Sequence, residues 1–471
     1  MKPMNSLMNF TSLKNMRALF PFTASSSEVV ALMDISKKRI ESDFAKEVHH
    51  YLARYPDTRH VDIYLTDTSG IFRGKRIAVA ALNTLARGCY FPQSVYTMDK
   101  KGKVISRCEN DNAEDEPDNL CVPVPGTLRP SAQDPRHHAQ LLLMMRNDEG
   151  DGFEYDPRYI LEKVLAKFHY HGLYPVIAPE IEFYLIDPQQ QNQQDAGCFH
   201  LSLSAARTAF VEELETMAAA QNLPLSGVVC EAEPGQFELN LHHSSDVVAL
   251  CENVLALRKL TCAVAEKQGL QANFMAKPFS ALAGNGLHFH ISLNNIHGEN
   301  IFAADEGELN EMTRLCLAGL LRLMPASLAI MAPGVNGFRR LRKRIDTPLF
   351  NAWGFNKRSA ALRIPCSDRA DRRIEYRLAG ADANPYLAMA TILTGMLYGL
   401  EQVSDADLPD ILTTAPVLPL FQQDALTVFG ECDYLKAALG AEFSRYWIHS
   451  RLMELSAFEG IVTAEETHYP G

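Results

Sequence analysis

The sequence lacks the short motifs that hold nucleotides, metals or disulfides in many proteins. Its 471 residues contain no Walker A pattern, no Gly-x-Gly-x-x-Gly loop and no Cys-x-x-Cys pair. The ten cysteines are scattered, which is typical of reduced thiols in a cytoplasmic protein. A formal net charge of −12 argues against nucleic acid as a main partner. The longest apolar stretch, 315–334, contains Arg322 and Pro325, so we predict a buried helix and turn instead of a membrane span.

The composition of the chain and the positions of its prolines and glycines divide it into three regions. Residues 1–39 begin with a basic stretch free of acidic residues, and we predict that they form a disordered extension. Residues 40–143 predict a small unit with a helix, strands and a proline-rich connection. Residues 144–471 predict a larger unit in which strands and long helices alternate, so the fold class is α+β.

Glu180 and Glu182 lie two residues apart in an apolar, β-prone stretch, 174–186. Alternate side chains of a strand share a face, so both carboxylates point the same way. A carboxylate removed from water needs a cationic partner or a metal ion to stay charged. The pair is therefore a candidate site, although the solvated face of an outer strand can carry the same pattern.

Three later segments repeat this alternation of apolar and ligand-type side chains. They contribute Glu238, His288 and Glu375, and Glu231 precedes Glu238 by seven residues. If the strands are neighbours, these side chains meet on one face of a sheet. Each segment alone fits a polar surface or an ion-pair ladder, but their recurrence beside arginines favours a divalent-metal site.

From about residue 44 to the C-terminus, the chain resembles the glutamine synthetase family. The motifs that carry the resemblance are Pro-Glu-Ile-Glu-Phe-Tyr at 179–184, Glu-Ala-Glu-Pro-Gly-Gln-Phe-Glu at 231–238, Gly-Asn-Gly-Leu-His-Phe-His-Ile-Ser at 284–292, Arg-Ser-Ala-Ala-Leu-Arg-Ile-Pro at 358–365 and Arg-Ile-Glu-Tyr-Arg at 373–377. The resemblance implies a small N-terminal β-grasp-like domain, 40–143, and a catalytic domain with a curved antiparallel sheet, 144–471.

The resemblance implies ATP as a substrate and two divalent ions per site, Mg²⁺ or Mn²⁺. By motif position, Glu182, Glu231 and Glu238 would hold the first ion, and Glu180, His288 and Glu375 the second, beside the ATP phosphates. Five carboxylates and two divalent ions nearly cancel, which suits a bound polyphosphate.

The resemblance also implies roles for the arginines and for three smaller residues. Arg340 and Arg377 would bind the carboxylates of glutamate, and Arg358 and Arg363 would bind the transferred phosphoryl group. Arg373 would bind the nucleotide phosphates, and Ser292 would also contact the nucleotide. Gly284 would bind the amino-acid substrate through its backbone. Asp346 would stand where the family has the flap glutamate that closes over the ammonium pocket. The implied reaction phosphorylates the γ-carboxylate of glutamate, and an amine then displaces phosphate.

Two departures from the family pattern fall on the ammonium pocket. Glutamine synthetases carry Phe-Asp-Gly-Ser-Ser in a loop where this chain has Phe-Pro-Gln-Ser-Val, so Pro92 replaces the aspartate. The flap motif has lost its Pro-Gly, and its glutamate is Asp346. The variant segments 89–95 and 377–386 resemble members of the family that join glutamate to putrescine in polyamine catabolism.

We therefore expect an ATP-dependent ligase that joins glutamate to a small amine such as putrescine. Two alternatives stay open: a glutamine synthetase that uses ammonia, and a catalytically silent, structural member of the superfamily. The resemblance further implies a homo-dodecamer with sites shared between subunits. We expect no nucleic-acid or membrane partner.

Overall fold

The computed structural model describes residues 42–106, 116–189, 198–201, 203–342, 350–404, 408 and 417–467. The predicted N-terminal extension, 1–39, and the predicted site residue Asp346 lie outside these ranges.

The N-terminal part of the chain forms a helix and a six-stranded sheet. The helix α1 spans 42–54, and the strands are β1 (His60–Thr66), β2 (Phe72–Ala78), β3 (Cys89–Pro92), β4 (Asp118–Pro123), β5 (Arg129–Pro130) and β6 (His138–Met145). The strand order is β2-β1-β6-β4-β3, with β5 paired to β6. Only β1 and β6 run parallel among these described pairs. The strand β6 ends two residues beyond the predicted domain boundary at 143, which stays a prediction.

The second sheet has eight strands in the order β12-β13-β14-β11-β7-β9-β8, with β10 paired to β7. These strands are β7 (Tyr174–Ile186), β8 (Leu225–Cys230), β9 (Gln236–Leu241), β10 (Gln271–Asn273), β11 (Leu287–Asn294), β12 (Trp353–Phe355), β13 (Leu362–Ile364) and β14 (Ile374–Tyr376). All described pairs are antiparallel except β12 with β13. The mixed helix-and-strand class predicted from the sequence is confirmed.

Ten helices beyond α1 surround the sheets within the described residues. They are α2 (Pro157–Tyr170), α3 (Ala205–Ala220), α4 (Val247–Lys267), α5 (Glu311–Met331), α6 (Val335–Arg342), α7 (Pro385–Gln402), α8 (Gln422–Glu431), α9 (Asp433–Leu439), α10 (Ala441–Glu459) and α11 (Ala464–Thr467). The predicted N-cap of α2 is confirmed, because the Asp156 side chain accepts a hydrogen bond from the Arg158 amide.

The long apolar helix α5 packs against α7 in the core. By length and composition α5 could span a membrane, but 72% of its apolar window is buried inside the protein, which confirms the predicted buried helix. Glycines permit the close approach of the two helices, since a Cβ atom on Gly399 would lie 1.9 Å from the carbonyl oxygen of Leu315. A Cβ atom on Gly319 would likewise lie 2.2 Å from the carbonyl oxygen of Gly395.

Two buried contacts join the six-stranded sheet to the helices of the larger part. Arg129, on β5, forms an ion pair with Glu252 of α4 at 2.5 Å, and both residues are 5% exposed. The side-chain nitrogen Nδ2 of Asn384, the N-cap of α7, donates to the carbonyl oxygens of Asp67 and Thr68. The two parts are therefore joined by buried polar contacts.

Candidate active site

The four strands that carry the predicted metal ligands are neighbours, in the order β14-β11-β7-β9. Glu180 is directly opposite His288 on β11, and Glu182 is directly opposite Glu238 on β9. Along β7 the odd-numbered side chains from 175 to 185 are buried, whereas Glu180 and Glu182 are half-buried on the other face. The predicted strand neighbourhood is confirmed, and the period of two explains why the carboxylates converge.

Glu375 is fully buried between two arginines. It accepts hydrogen bonds from Arg363 Nη1 at 2.7 Å and from Arg377 Nη1. Burial alone would raise the pKa of Glu375, but the adjacent Arg377, His288, His290 and Arg363 hold it below its ordinary value. Glu375 therefore stays an anion inside the protein.

Within the described part of the chain, two groups of side chains have ligand atoms close enough to hold a metal ion. One group is Glu180, His288 and Glu375, and the other is Glu182, Glu238 and His288. Within each group the ligand atoms lie within 4.8 Å of one another. The first group coincides with the ligand set implied for the second ion. Glu231 lines the same cavity but belongs to neither group.

The carboxylates are crowded enough to disturb one another's protonation. Burial, together with the charges of Glu180 and Glu182, raises the pKa of Glu238 to about 9. Burial and the charge of Glu182 raise the pKa of Glu231 to about 7. Burial and the neighbouring carboxylates together thus favour the protonated form of Glu238 and Glu231 when no cation is bound. Oxygen-rich, anionic sites of this kind suit Mg²⁺ or Mn²⁺, so the donor set fits the implied ions.

Two glycines open the space that His288 and Arg340 occupy. A Cβ atom on Gly286 would lie 2.5 Å from Nε2 of His288, and one on Gly284 would lie 2.7 Å from Cγ of Arg340. The Gly286 amide also donates to Glu182 at 2.6 Å. The Gly-Asn-Gly sequence thus allows the imidazole and the guanidinium to approach the backbone beside the carboxylates.

His290 is a site residue that the sequence argument missed. Its Nδ1 accepts a hydrogen bond from Arg373 Nε at 3.1 Å, and its Nε2 lies 3.0 Å from Glu180 Oε1. Since Nδ1 accepts, a neutral ring carries its proton on Nε2 and donates it to Glu180. The signal was present, because His290 follows His288 by two residues on the same strand face.

A cavity of about 540 Å³ collects most of the predicted site residues. The predicted residues that line it are Glu180, Glu182, Glu231, Glu238, Gly284, His288, Arg340, Arg358, Arg363, Arg373, Glu375 and Arg377. Ser292 lines a neighbouring cavity of about 1220 Å³ instead. Glu180, His290 and Arg373 line both cavities and therefore mark where the two meet.

Arg340 is anchored more firmly than the sequence suggests. Its guanidinium donates to the carbonyl oxygens of Leu378, Ala379 and Arg377 at 3.0–3.3 Å, and the residue is 3% exposed. Burial lowers the pKa of Arg340 to about 10, which leaves it charged at neutral pH. The residue therefore fixes α6 to the end of β14 as well as facing the cavity.

Pro92, which marks the predicted change of amine, lies at the end of β3 in the six-stranded sheet. It lines neither cavity, and the described lining residues of both fall between 176 and 377. Within the described residues, the chain's own β3 therefore contributes nothing to this site.

Comparison with known proteins agrees with this geometry. Residues 154–469 match the catalytic domain of glutamine synthetase. The chain therefore belongs to the glutamine synthetase family of ligases.

The chain is also similar to individual proteins of this family. Over 465 residues the chain is 40% identical to the gamma-glutamylputrescine synthetase PuuA of Escherichia coli (strain K12), covering 94% of this chain and 98% of the relative. It is 28% identical over 351 residues to a glutamine synthetase of Halobacterium salinarum, covering 70% of this chain and 77% of that protein. Among solved structures it is similar to ligand-free GmaS, with a TM-score of 0.77, 26% identity, and coverage of 88% and 97%.

Proposed function

We propose that the protein is an ATP-dependent ligase that joins the γ-carboxylate of glutamate to a small alkyl amine, with putrescine as the best candidate. The observation that carries the proposal is the pair of ligand groups that share His288, set in one cavity with five arginines. Nothing in the packing of the fold requires carboxylates to converge in this way, whereas phosphoryl transfer through divalent ions does.

In this proposal two ions bind, with Glu182, Glu231 and Glu238 around the first and Glu180, His288 and Glu375 around the second. When bound, the ions would neutralise the charge of the ATP phosphates and of the transferred group. His290 would hold Glu180 in position through its Nε2 proton. His290 also contacts Arg373, so it would link Glu180 to the residues proposed to bind the nucleotide.

The arginines would orient the two anionic substrates. Arg358 and Arg363 would stabilise charge on the phosphoryl group as it passes to the γ-carboxylate of glutamate. Arg340 and Arg377 would bind the glutamate carboxylates, a task that suits a planar guanidinium. Ser292 and Arg373 line the larger neighbouring cavity, which offers space for the rest of the nucleotide.

The proposed nucleophile is an amine rather than ammonia, for two reasons. The aspartate of the ammonium loop is replaced by Pro92, which can neither bind a cation nor accept a proton. The chain is also similar over 94% of its length to a protein named as a gamma-glutamylputrescine synthetase.

We also propose that the working enzyme is a homo-dodecamer, in which the small domain of one subunit completes the site of the next. In support, β3 of the chain lines neither of its own described cavities. Native mass spectrometry tests this assembly, and a fully active monomer would contradict it.

The test of the function is ATP-dependent phosphate release with glutamate, Mg²⁺ and a panel of amines that includes ammonia. We expect kcat/KM for putrescine to exceed that for ammonia by at least ~100-fold, which needs about 2.7 kcal/mol of discrimination. Mass spectrometry should identify the γ-glutamyl amide.

The same assay separates the alternatives. Comparable efficiency with ammonia would make the protein a glutamine synthetase. Absence of turnover with every amine, at saturating Mg²⁺ or Mn²⁺, would make it the silent member of the superfamily.

A further inference from the structure

Phe199 is an aromatic residue that is held in a strained conformation at the edge of the smaller cavity. It is 67% exposed, and its φ of 58° lies in the left-handed region that bulky residues rarely adopt. The backbone conformation of Phe199 is therefore unfavourable, and burial of the exposed side chain offsets little of that cost. Strain of this kind persists where the surrounding structure enforces it, often at ligand sites.

The backbone of Phe199 is tied to the site. Its amide donates to the carbonyl oxygen of Cys230 at 3.0 Å, immediately before Glu231. Phe199, Cys198, Val229 and Ala232 all line the cavity. We call these four residues the apolar wall.

The cavity therefore has two chemically different sides. Its five lining arginines all lie between 340 and 377, on or near α6, β13 and β14. The apolar wall comes from β8 and the segments beside it, and none of its four side chains carries a charge. The arginine side can bind an anionic substrate such as glutamate, whereas the apolar wall can pack against a hydrocarbon chain.

We infer that the apolar wall, with Phe199 as its main contact, selects the amine by packing against its methylene chain. The inference rests on the proposed function, because it assigns the chemistry of the second substrate in that site. An alkyl amine brings methylenes to the wall, and an ammonium group is attracted by an aromatic face. Ammonia has no methylene group and therefore lacks the hydrocarbon contact.

The wall predicts a dependence on chain length. Each methylene group buried against protein strengthens binding by about fourfold. In the wild type, kcat/KM should therefore rise from methylamine through ethylamine to butylamine. Phe199→Ala should flatten this rise and lower kcat/KM for butylamine and 1,4-diaminobutane by at least ~10-fold. The KM for glutamate should stay within ~2-fold, and kcat/KM for ammonia should fall less than that for butylamine.

The experiment measures phosphate release from the full-length protein with ammonia and these four amines, at saturating ATP and glutamate. Phe199→Leu should keep most of the chain-length dependence, because leucine remains apolar. Phe199→Gly removes the ring and also relieves the positive φ, so it tests the wall even if the alanine variant folds poorly. The matched control is Tyr170→Ala, at a 75% exposed aromatic residue that lines neither described cavity.

Two results would overturn the inference and can be told apart. If the alanine and glycine variants keep the wild-type chain-length dependence, the wall does not select the amine, and the proposed function stands. If the wild type turns over no alkyl amine, the proposed function fails and the inference fails with it.

Discussion

Glu182 and Glu238 are directly opposite each other on adjacent antiparallel strands. Like charges in this arrangement destabilise a sheet, and here both carboxylates are shielded from water. Glu182 accepts a hydrogen bond from the Gly286 amide, and Glu238 accepts one from Asn240 Nδ2 at 3.2 Å. Among the described residues, Glu182 has only the imidazole of His288 within salt-bridge distance, and Glu238 has no cationic partner. The pair therefore favours binding of a cation between the two carboxylates.

Neutralising Glu238 should separate metal binding from folding. We expect Mg²⁺ or Mn²⁺ to stabilise the wild type by about 2.7 kcal/mol at a free concentration 100 times the Kd. Glu238→Gln should lose most of this stabilisation and all turnover. In EDTA at neutral pH the variant should melt close to the wild-type temperature, because glutamine has nearly the shape of the protonated carboxyl group that the raised pKa of Glu238 implies.

Differential scanning fluorimetry with and without metal makes this measurement. Glu266→Gln, at an exposed position of α4, is the control and should respond to metal as the wild type does. Metal stabilisation of Glu238→Gln equal to that of the wild type would remove Glu238 from the ligand set.

The metal-free protein should become less stable as the pH rises. The raised pKa values of Glu238, about 9, and Glu231, about 7, mean that the folded state holds protons that the unfolded state releases above about 4.5. Stability from these groups is therefore complete below pH 4.5 and is lost as the pH rises through 7 and 9. Saturating Mn²⁺ should reduce this slope, because metal replaces the protons.

Melting temperatures from pH 6 to 9, in EDTA and in Mn²⁺, test the prediction. Glu238→Gln should show a shallower slope in EDTA than the wild type. A metal-free melting temperature that rises across this range would contradict the assigned pKa shifts.

Arg340→Ala should affect both stability and substrate binding. The variant leaves three backbone carbonyl groups without their guanidinium donor, which should cost about 3 kcal/mol in the free energy of unfolding. It should also raise the KM for glutamate more than the KM for the amine. The control is Arg339→Ala, an exposed neighbour whose contact with Phe458 contributes ~1 kcal/mol or less.

Urea denaturation and steady-state kinetics distinguish the two effects. An equal rise of both KM values would mean that Arg340 supports the fold without touching glutamate.

Two glycine-to-alanine changes in helices should have opposite effects. Gly399→Ala places a methyl group 1.9 Å from the Leu315 carbonyl oxygen, so α5 and α7 must separate, at a cost of about 3 kcal/mol. Gly430→Ala in α8 meets no atom nearer than 3.6 Å and should gain up to about 1 kcal/mol from helix propensity. Thermal denaturation of the two variants measures the difference, and equal effects would refute the close helix contact.

The sequence predicted the core of the site because strands have a strict period. Once Glu180 and Glu182 share a face, the same alternation places Glu238 and His288 opposite them as soon as the strands pair. The same alternation places His290 on this face, but only His288 was assigned as a ligand, because the family motif implies a role for His288 alone.

Features that depend on contacts between distant segments could not be predicted. Arg340 was assigned to glutamate, yet its three carbonyl partners lie 37–39 residues further along the chain. The strained position of Phe199 likewise depends on a hydrogen bond to Cys230, which no local pattern encodes. Asp346, predicted from the flap motif, stays a prediction.

The buried ion pair between Arg129 and Glu252 has a consequence for how the molecule unfolds. Removing the six-stranded sheet would take away Arg129, the hydrogen-bonded partner of the buried Glu252, and breaking such a pair from one side typically costs about 3–5 kcal/mol. The larger part is then not an autonomous module, and the two parts should lose structure together in one cooperative transition. A chain shortened to start near residue 144 should therefore be recovered mainly as aggregate, even though it retains every proposed metal ligand.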